Sequence, residues 1–227
     1  MQGRSTVHDA AVPRPPTGLA VAVIVIGWIW VAWLVVLGFA ADASEGIWRD
    51  AVERELPYAD TAPGPFAIAY LPVRGFLVAA FVVVSLWLHQ SRRFAKAHNP
   101  GAWFSWPIAW TWLGWVVPLV SLWFPVWVVT DVWRATLHRR VAWYLFPWWG
   151  CWLLMLGFSW GAEDRLGGFA RIGVLGDDVL LMGEQYIACA VLGLFSCWAW
   201  TAIVLRIRRG QIALASGAAR GGDAAAR

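Results

Sequence analysis

Charged residues are scarce in this sequence, and lysine and cysteine are scarcer still. Only 14% of the 227 residues are charged, against roughly 25% in an ordinary soluble domain, while 60% are hydrophobic. Lys96 is the only lysine among 18 basic residues, a bias typical of a GC-rich bacterial genome. The formal charge is only +4, and the basic residues lie at the ends of apolar runs, which gives no support to nucleic-acid binding.

The three cysteines, Cys151, Cys189 and Cys197, all fall inside apolar runs, and no two have Cys-x-x-Cys spacing. An odd number of cysteines at such spacing favours neither a disulfide framework nor a zinc site. Free cysteine packs as a small hydrophobic residue, so we expect buried side chains. The sequence accordingly predicts no metal and no cofactor.

Long apolar runs are what the sequence has instead, and they predict membrane-spanning helices. Leu19 to Ala41 carries no charge and would extend about 34 Å, enough for the hydrocarbon core and too long for a signal peptide. We predict an all-α integral membrane protein with about four transmembrane helices at 19–41, 66–88, 142–160 and 186–205. A single membrane domain, 18–207, then lies between cytoplasmic tails at 1–17 and 208–227.

An acidic connection, Asp42 to Pro65, follows the first span and is predicted to be an external loop. Pro72 and Arg74 leave the start of the second span open between Phe66 and Leu71. The basic sequence after that span is predicted to be a cytoplasmic loop.

Residues 103–133 are apolar enough for a further span but are interrupted by Pro107, Pro118 and Pro125. If this segment does not cross the bilayer, 13 of the 18 basic residues lie in the cytoplasm; if it crosses, only 7 do. The positive-inside rule favours the first arrangement, with both termini cytoplasmic. Because Pro118 divides the segment into two short halves, we predict a tryptophan- and proline-rich re-entrant or interfacial helical hairpin.

Eight tryptophans fall in this segment, and they either anchor it at the headgroup level or line a groove for a lipid tail or isoprenoid. On a helix after Pro118, Asp131 and Arg134 can form an ion pair at i, i+3. Alternatively, Arg134 together with Arg92 and Arg93 binds a lipid phosphate, because a guanidinium fork matches phosphate oxygens.

Other candidate sites are less favoured. The adjacent carboxylates of Glu163–Asp164 and Asp177–Asp178 could hold Mg²⁺, but their position in an outer loop favours solvated charges. His89, His98 and His138 lie beside cationic residues without ligand spacing. No Ser-His-Asp order, glycine-rich phosphate loop or nucleophile elbow occurs, so an enzyme is less favoured than a non-catalytic protein.

Two stretches carry a resemblance to a known family: SLWLHQSRRFAKAHNPG at 85–101 and GWVVPLVSLWFPVWVVTDVWRAT at 114–136. Together they resemble the signature of the bacterial membrane family called domain of unknown function 4328. The matching residues are Gly114, Trp115, Pro118, Leu122, Trp123, Pro125, Trp133 and Arg134, and Asp131 belongs to the same structural motif. The resemblance implies an actinobacterial cytoplasmic membrane and about four spans, and it implies no activity.

Three functions from different classes stay open. The leading one is a structural or accessory membrane protein that contacts membrane lipids and a membrane-protein partner. The alternatives are a lipid or small-molecule binding or transport module, and a membrane enzyme acting on an isoprenoid or lipid substrate. Apart from Arg74, the spans offer only hydroxyl groups such as those of Ser85 and Thr201, which counts against ion-coupled transport.

Overall fold

The structure, a computed structural model, describes residues 13–57, 60–117, 119–165, 175 and 177–225. Its helices are α1 (Thr17–Glu53), α2 (Pro65–Tyr70), α3 (Val73–His98), α4 (Trp110–Val116), α5 (Phe124–Leu137), α6 (Leu145–Arg165) and α7 (Met182–Ala225). Short 3₁₀ turns at Val120–Leu122 and Asp177–Leu181 lead into α5 and α7. The described residues form no β-strand, and the chain is an all-α membrane protein.

Three helical stretches within the described residues are long and apolar enough to cross a bilayer: Thr17–Glu53, Pro65–His98 and Asp177–Gly217. They contain the first, second and fourth predicted spans. The third predicted span, 142–160, corresponds to α6, whose 21 residues would extend about 32 Å. Four of those residues are tryptophan, and α6 is not among the three stretches.

The first and last helices, α1 and α7, pack against each other along the bundle. Trp200 donates its indole N–H to the Val23 carbonyl at 3.4 Å, and Gly38 lies against Ile187. Residues later in α1 contact residues earlier in α7, so the two helices are antiparallel. Any side chain at Gly38 would collide with Ile187, so a glycine is what allows the helices this close approach.

Helix α6 packs on another face of α7, also antiparallel. The Trp148 ring stacks on that of Trp200 with centroids 4.8 Å apart, and Ser196 donates its hydroxyl to the Trp148 carbonyl at 3.2 Å. Further along, the Cys189 thiol lies 3.7 Å from the Met155 carbonyl. Stacked rings and small polar side chains bonded to helix carbonyls join helices where no hydrophobic driving force exists between them.

The second predicted span begins at a break between two helices. Helix α2 ends at Tyr70, and α3 begins after Pro72, whose ring cannot continue the preceding helix. The start of α2 is fixed by Ser44 of α1, whose hydroxyl accepts the Phe66 N–H at 3.0 Å. Arg74 lies in the first turn of α3, and its side chain is exposed on the surface of the bundle.

Three helices continue beyond the apolar runs that predicted them. Helix α1 reaches Glu53, so the first half of the predicted acidic loop is helical. Helix α3 reaches His98 and contains most of the predicted basic loop, and α7 reaches Ala225 through the predicted C-terminal tail. Arginine, glutamate, lysine and alanine are good helix formers, so a helix continues through them after its apolar residues end.

Residues 103–133 leave and return to the same end of the bundle. Asn99, just before the segment, has its side-chain amide nitrogen 3.0 Å from Nε2 of His138, just after it. Between these points α4 runs back along α3, where Trp112 packs edge-on against Phe81 with centroids 5.9 Å apart. Helix α5 then returns, so α4 and α5 are the two arms of a helical hairpin.

The two ends of the bundle carry opposite charges. The end where Asn99 meets His138, here called the basic end, also holds Arg92, Arg93, Lys96, Arg134, Arg139, Arg140, Arg206, Arg208 and Arg209. The opposite end, here called the acidic end, carries Asp42, Glu45, Asp50, Glu53, Glu55, Asp60, Asp177, Asp178 and Glu184. This separation of charge is the pattern that orients helices in a membrane.

Some predicted features lie outside the described residues: residues 1–12 of the N-terminal tail, Pro118, and the side chains of Glu163 and Asp164. The three cysteines are described and are free. Cys189 and Cys197 are buried as expected, whereas Cys151 is half-buried.

Candidate functional site

Arg92 fastens the start of the hairpin to α3. Its side chain is only 6% exposed, and it donates from Nη1 to the Pro107 carbonyl at 3.2 Å and from Nη2 to the Trp106 carbonyl. The guanidinium carbon lies 4.6 Å from the centre of the Phe104 ring. The planar guanidinium thus bonds two carbonyls and stacks on one ring, a combination that lysine cannot reproduce.

Asp131 of α5 holds the same loop from the other side. It accepts the Ser105 backbone N–H at 3.0 Å and the Ser105 hydroxyl at 3.3 Å, and it is buried. Burial raises the pKa of the Asp131 carboxyl, although the Ser105 hydrogen bonds and the charges of Arg92 and Arg134 oppose that rise. We call Arg92, Asp131 and Ser105 the loop clamp, because together they tie residues 104–107 to α3 and α5.

The predicted ion pair between Asp131 and Arg134 does not form within the described part of the chain. Asp131 bonds Ser105 instead, and the Arg134 side chain is exposed. The spacing i, i+3 permits such a pair on an isolated helix, but it contributes only a few tenths of a kcal/mol, roughly 0.2–0.5. Two hydrogen bonds to a buried carboxylate from a distant loop outweigh that contribution.

A small pocket of about 470 Å³ contains two of the three arginines predicted to bind a lipid phosphate. It is lined by Arg92, Arg93, Lys96, Ala97, Phe104 and Ile108, so Arg134 is not part of it. Lys96 donates from Nζ to the Pro100 and Ala102 carbonyls at 2.8 and 3.0 Å. Among the described residues, Arg93 makes no hydrogen bond and no ion pair, so its guanidinium is free to meet an anion.

The first half of the predicted motif, Gly114 and Trp115, lies on α4 where that helix meets its neighbours. Trp115 donates its indole N–H to the Thr111 carbonyl at 3.2 Å, and its ring packs edge-on against that of Trp149 on α6. Gly114 is buried against the ring of Phe124 on α5. These residues therefore set how closely the two arms of the hairpin approach.

The second half of the motif lies on α5. Pro125 occupies the first turn, where a backbone N–H would have no helical partner, so its missing N–H costs nothing. Trp123 is half-exposed at the start of the helix. Trp133 is buried and donates its indole N–H to the Arg140 carbonyl at 3.2 Å, which fixes the chain as it leaves the helix.

A larger groove of about 1180 Å³ opens at the basic end between α3, α5 and α7. Its walls include His98, Trp133, Arg139, Arg206, Arg209 and Leu214, and none of the described residues that line it is acidic. We call it the basic groove. Arginines beside apolar side chains provide a place for an anionic group attached to a hydrocarbon chain.

The arginines of the basic groove differ in how firmly they are held. Arg206 donates to the Tyr144 hydroxyl, and its guanidinium carbon lies 5.0 Å from the centre of that ring. Arg139 and Arg209 are exposed and, within the described residues, form no hydrogen bond and no ion pair. Arg206 is therefore oriented in advance, whereas Arg139 and Arg209 can move toward a ligand.

The arginines of the basic groove were not among the predicted site residues. Arg139 follows α5, and Arg206 and Arg209 lie on α7, so the groove depends on contact between two elements far apart in sequence. The charge count did place all three on one side of the membrane. The count of basic residues on each side could therefore have pointed to these arginines, but it could not show that α5 and α7 are neighbours.

The remaining carboxylate and histidine residues that the sequence singled out do not form a second functional site. Among the described residues, no three or more His, Cys, Asp or Glu side chains are placed to hold a metal ion. Asp177 and Asp178 lie in the turn before α7 at the acidic end. His98 and His138 lie at the basic end, where His138 Nε2 is close to the amide of Asn99.

A family of known proteins matches most of the chain. The family model described as "Domain of unknown function (DUF4328)" matches residues 58–209. The chain belongs to the DUF4328 family. Neither the search of curated proteins nor the search of solved structures finds a match.

The DUF4328 match includes the loop clamp, the hairpin and α7 as far as Arg209, but it leaves out α1. It therefore covers every arginine that lines the two pockets. Part of the wall of the basic groove, including Leu214, lies beyond the matched residues on the extended end of α7. The charged side of the groove thus belongs to the DUF4328 domain.

Replacing Gly114 by alanine should lower the free energy of unfolding of this DUF4328 protein by about 1–3 kcal/mol. The added methyl group would overlap the ring of Phe124, which is buried between the hairpin arms. Thermal unfolding of the detergent-purified protein, followed by tryptophan fluorescence, would measure the change.

Gly157→Ala on α6 is the matched control for that variant. Nothing lies within 4 Å of the position that its new methyl group would take, and alanine is the better helix former. We expect this control to be neutral or up to ~1 kcal/mol more stable than the parent. Equal unfolding temperatures for Gly114→Ala and Gly157→Ala would contradict the close packing of the hairpin arms.

Proposed function

We propose that this DUF4328 protein binds anionic lipid at the cytoplasmic surface of a bacterial plasma membrane, with the headgroup in the basic groove. The observation that carries the proposal is the lining of that groove, in which three arginines and a histidine meet apolar side chains, with no carboxylate among the residues that the structure describes there. A guanidinium presents paired donors that match phosphate oxygens. Such basic pockets between membrane helices are suited to phosphorylated headgroups.

The separation of charge supports this orientation. Thirteen of the 18 basic residues lie on one side in the proposed topology, with both termini and the basic groove in the cytoplasm. The cytoplasmic leaflet carries anionic lipid, which each nearby arginine or lysine attracts by about 1 kcal/mol. The basic groove therefore faces the surface where its ligand is concentrated.

The apolar part of the groove favours a lipid over a soluble anion. Trp133 and Leu214 line the groove together with Arg139 and Arg209, so a headgroup phosphate and the start of its acyl chains meet matching surfaces. Tryptophan is typical of the level at which headgroups join hydrocarbon. A free phosphate ion would use only the charged half of this surface.

The same geometry favours holding a lipid over transforming one. In the described part of the chain, neither the basic groove nor the small pocket is lined by a carboxylate, and Asp131 is engaged by Ser105. General acid–base chemistry needs a titratable group within reach of the substrate, and His98 of the basic groove has its Nδ1 3.1 Å from the Phe94 carbonyl and its ring stacked on that of Phe94. A lipid-holding module is also compatible with an accessory role, in which the protein positions lipid for a membrane partner.

The double variant Arg139→Ala/Arg209→Ala should bind anionic lipid about 10- to 30-fold more weakly than the parent, from ~1 kcal/mol per arginine. Neither side chain has a bonding partner among the described residues, so the fold should be unaffected. The measurement is titration of fluorescent phosphatidylglycerol into the protein held in nanodiscs of zwitterionic lipid.

The matched control removes two arginines from the acidic end. Arg49 and Arg54 form only exposed i, i+4 pairs with Glu45 and Asp50. The variant Arg49→Ala/Arg54→Ala should bind phosphatidylglycerol like the parent. Equal weakening in both double variants would indicate a response to net charge alone, and the absence of any binding by the parent would overturn the proposal.

A further inference from the structure

The basic groove and the small pocket adjoin each other. Ala97, exposed on the last turn of α3, lines both of them. Among the described residues it is the only one that the two linings share, and its methyl group is here called the ridge between them. Arg93 in the small pocket and His98 in the basic groove are five residues apart, which is about 7.5 Å along the helix axis.

Each compartment offers a cation that is not already bonded to the protein. In the described part of the chain, Arg93 of the small pocket and Arg139 and Arg209 of the basic groove make no hydrogen bond or ion pair. Arg92 and Lys96 bond backbone carbonyls, but their positive charges stay beside Arg93. Because no described residue of either lining is a carboxylate, both compartments attract anions.

We infer that the two compartments bind the two phosphates of one lipid, one phosphate in the basic groove and the other in the small pocket. The inference rests on the proposed function and specifies its ligand class, a lipid with two phosphates joined by a short polyol linker, as in cardiolipin. A linker of that kind can pass over Ala97. A diphosphate, whose phosphorus atoms share one oxygen, is too compact to reach both compartments.

Two linked phosphates bind more tightly than two separate ones. Once the first phosphate occupies its compartment, the linker holds the second near the other compartment at a high effective concentration. We therefore expect cardiolipin to bind at least ten-fold more tightly than phosphatidylglycerol, compared at equal phosphate concentration. An isoprenoid diphosphate, confined to one compartment, should bind no more tightly than phosphatidylglycerol.

The test compares these lipids by competition for the full-length protein in zwitterionic nanodiscs. Arg93→Ala should abolish the preference for cardiolipin and weaken phosphatidylglycerol binding much less than cardiolipin binding, since a single phosphate can still use the basic groove. Ala97→Phe, which raises the ridge, should have the same effect. Unfolding temperatures equal to that of the parent would show that both variants are folded.

The outcomes separate this inference from the proposed function. Equal affinity of the parent for cardiolipin and phosphatidylglycerol, or equal loss of both in Arg93→Ala, would overturn the two-phosphate inference alone. Unchanged binding of both lipids in Arg139→Ala/Arg209→Ala would overturn the proposed function, and the inference with it. A preference for isoprenoid diphosphate over cardiolipin would overturn the inference by showing that one compartment is sufficient.

Discussion

Arg92→Ala is expected to lower the free energy of unfolding by about 3 kcal/mol and the unfolding temperature by roughly 6–12 °C. The variant leaves the Trp106 and Pro107 carbonyls without their donor and removes a positive charge from near the buried Asp131. Removing one partner from a buried charged network costs more than the interaction contributes when intact, because the remaining groups stay buried and unpaired.

The neighbouring residue supplies the control. Arg93→Ala makes the same change of charge one position away on the same helix, but Arg93 is exposed. Its effect on the free energy of unfolding should stay within about 0.5 kcal/mol. The free energy of unfolding of Arg92→Lys should fall between those of Arg92→Ala and Arg93→Ala. An ammonium group lacks the planar fork that contacts two carbonyls and the Phe104 ring together.

Thermal or denaturant unfolding of the three variants in one detergent would measure these differences. Equal stability of Arg92→Ala and Arg93→Ala would show that the loop clamp does not hold the hairpin. The hairpin would then be held by ring packing alone, such as that of Phe124 against Trp106 and Trp110.

The all-α membrane character and three of the four predicted spans could be predicted because they depend on local composition. Insertion requires runs of about 20 apolar residues, and such runs can be read directly from the chain. The end of each helix was less predictable. The apolar run of α7 stops near Leu205, but the helix continues to Ala225 through residues that favour helix without being apolar.

The burial of Arg92 shows what helical spacing could have added to the prediction. Ser85, Leu88, Arg92 and Ala95 follow helical spacing and are all buried. Arg93 lies off that face, and it is exposed. Helical phase could therefore have shown which of two adjacent arginines faces inward, but it could not have shown that the Trp106 and Pro107 carbonyls would meet it.

The partner of Asp131 could not be predicted from any local sequence pattern. Ser105 is 26 residues away, and it approaches Asp131 because the hairpin folds back on α3. The basic groove likewise depends on α5 ending beside Gly210 of α7, which lies against Leu137. Contacts of this kind follow from the packing of whole helices, which the spacing of charges along the sequence does not encode.

One cysteine placed before the hairpin in the sequence and one placed after it should react alike with a membrane-impermeant maleimide. In a background with Cys151, Cys189 and Cys197 replaced by alanine, we expect Arg93→Cys and Arg139→Cys to be unlabelled in intact cells and fully labelled after permeabilisation. Asp50→Cys at the acidic end should be labelled in intact cells. The contrast is close to all-or-none, because the bilayer excludes the reagent.

The pattern of labelling distinguishes three arrangements. Labelling of Arg139→Cys but not Arg93→Cys in intact cells would mean that residues 103–133 cross the membrane. Labelling of both, without labelling of Asp50→Cys, would mean that the hairpin is retained and the orientation is inverted. His98 and Arg139 line one groove, so a crossing segment would put them on opposite faces of the membrane and the basic groove could not form. The labelling experiment thus tests the hairpin and the lipid site that depends on it.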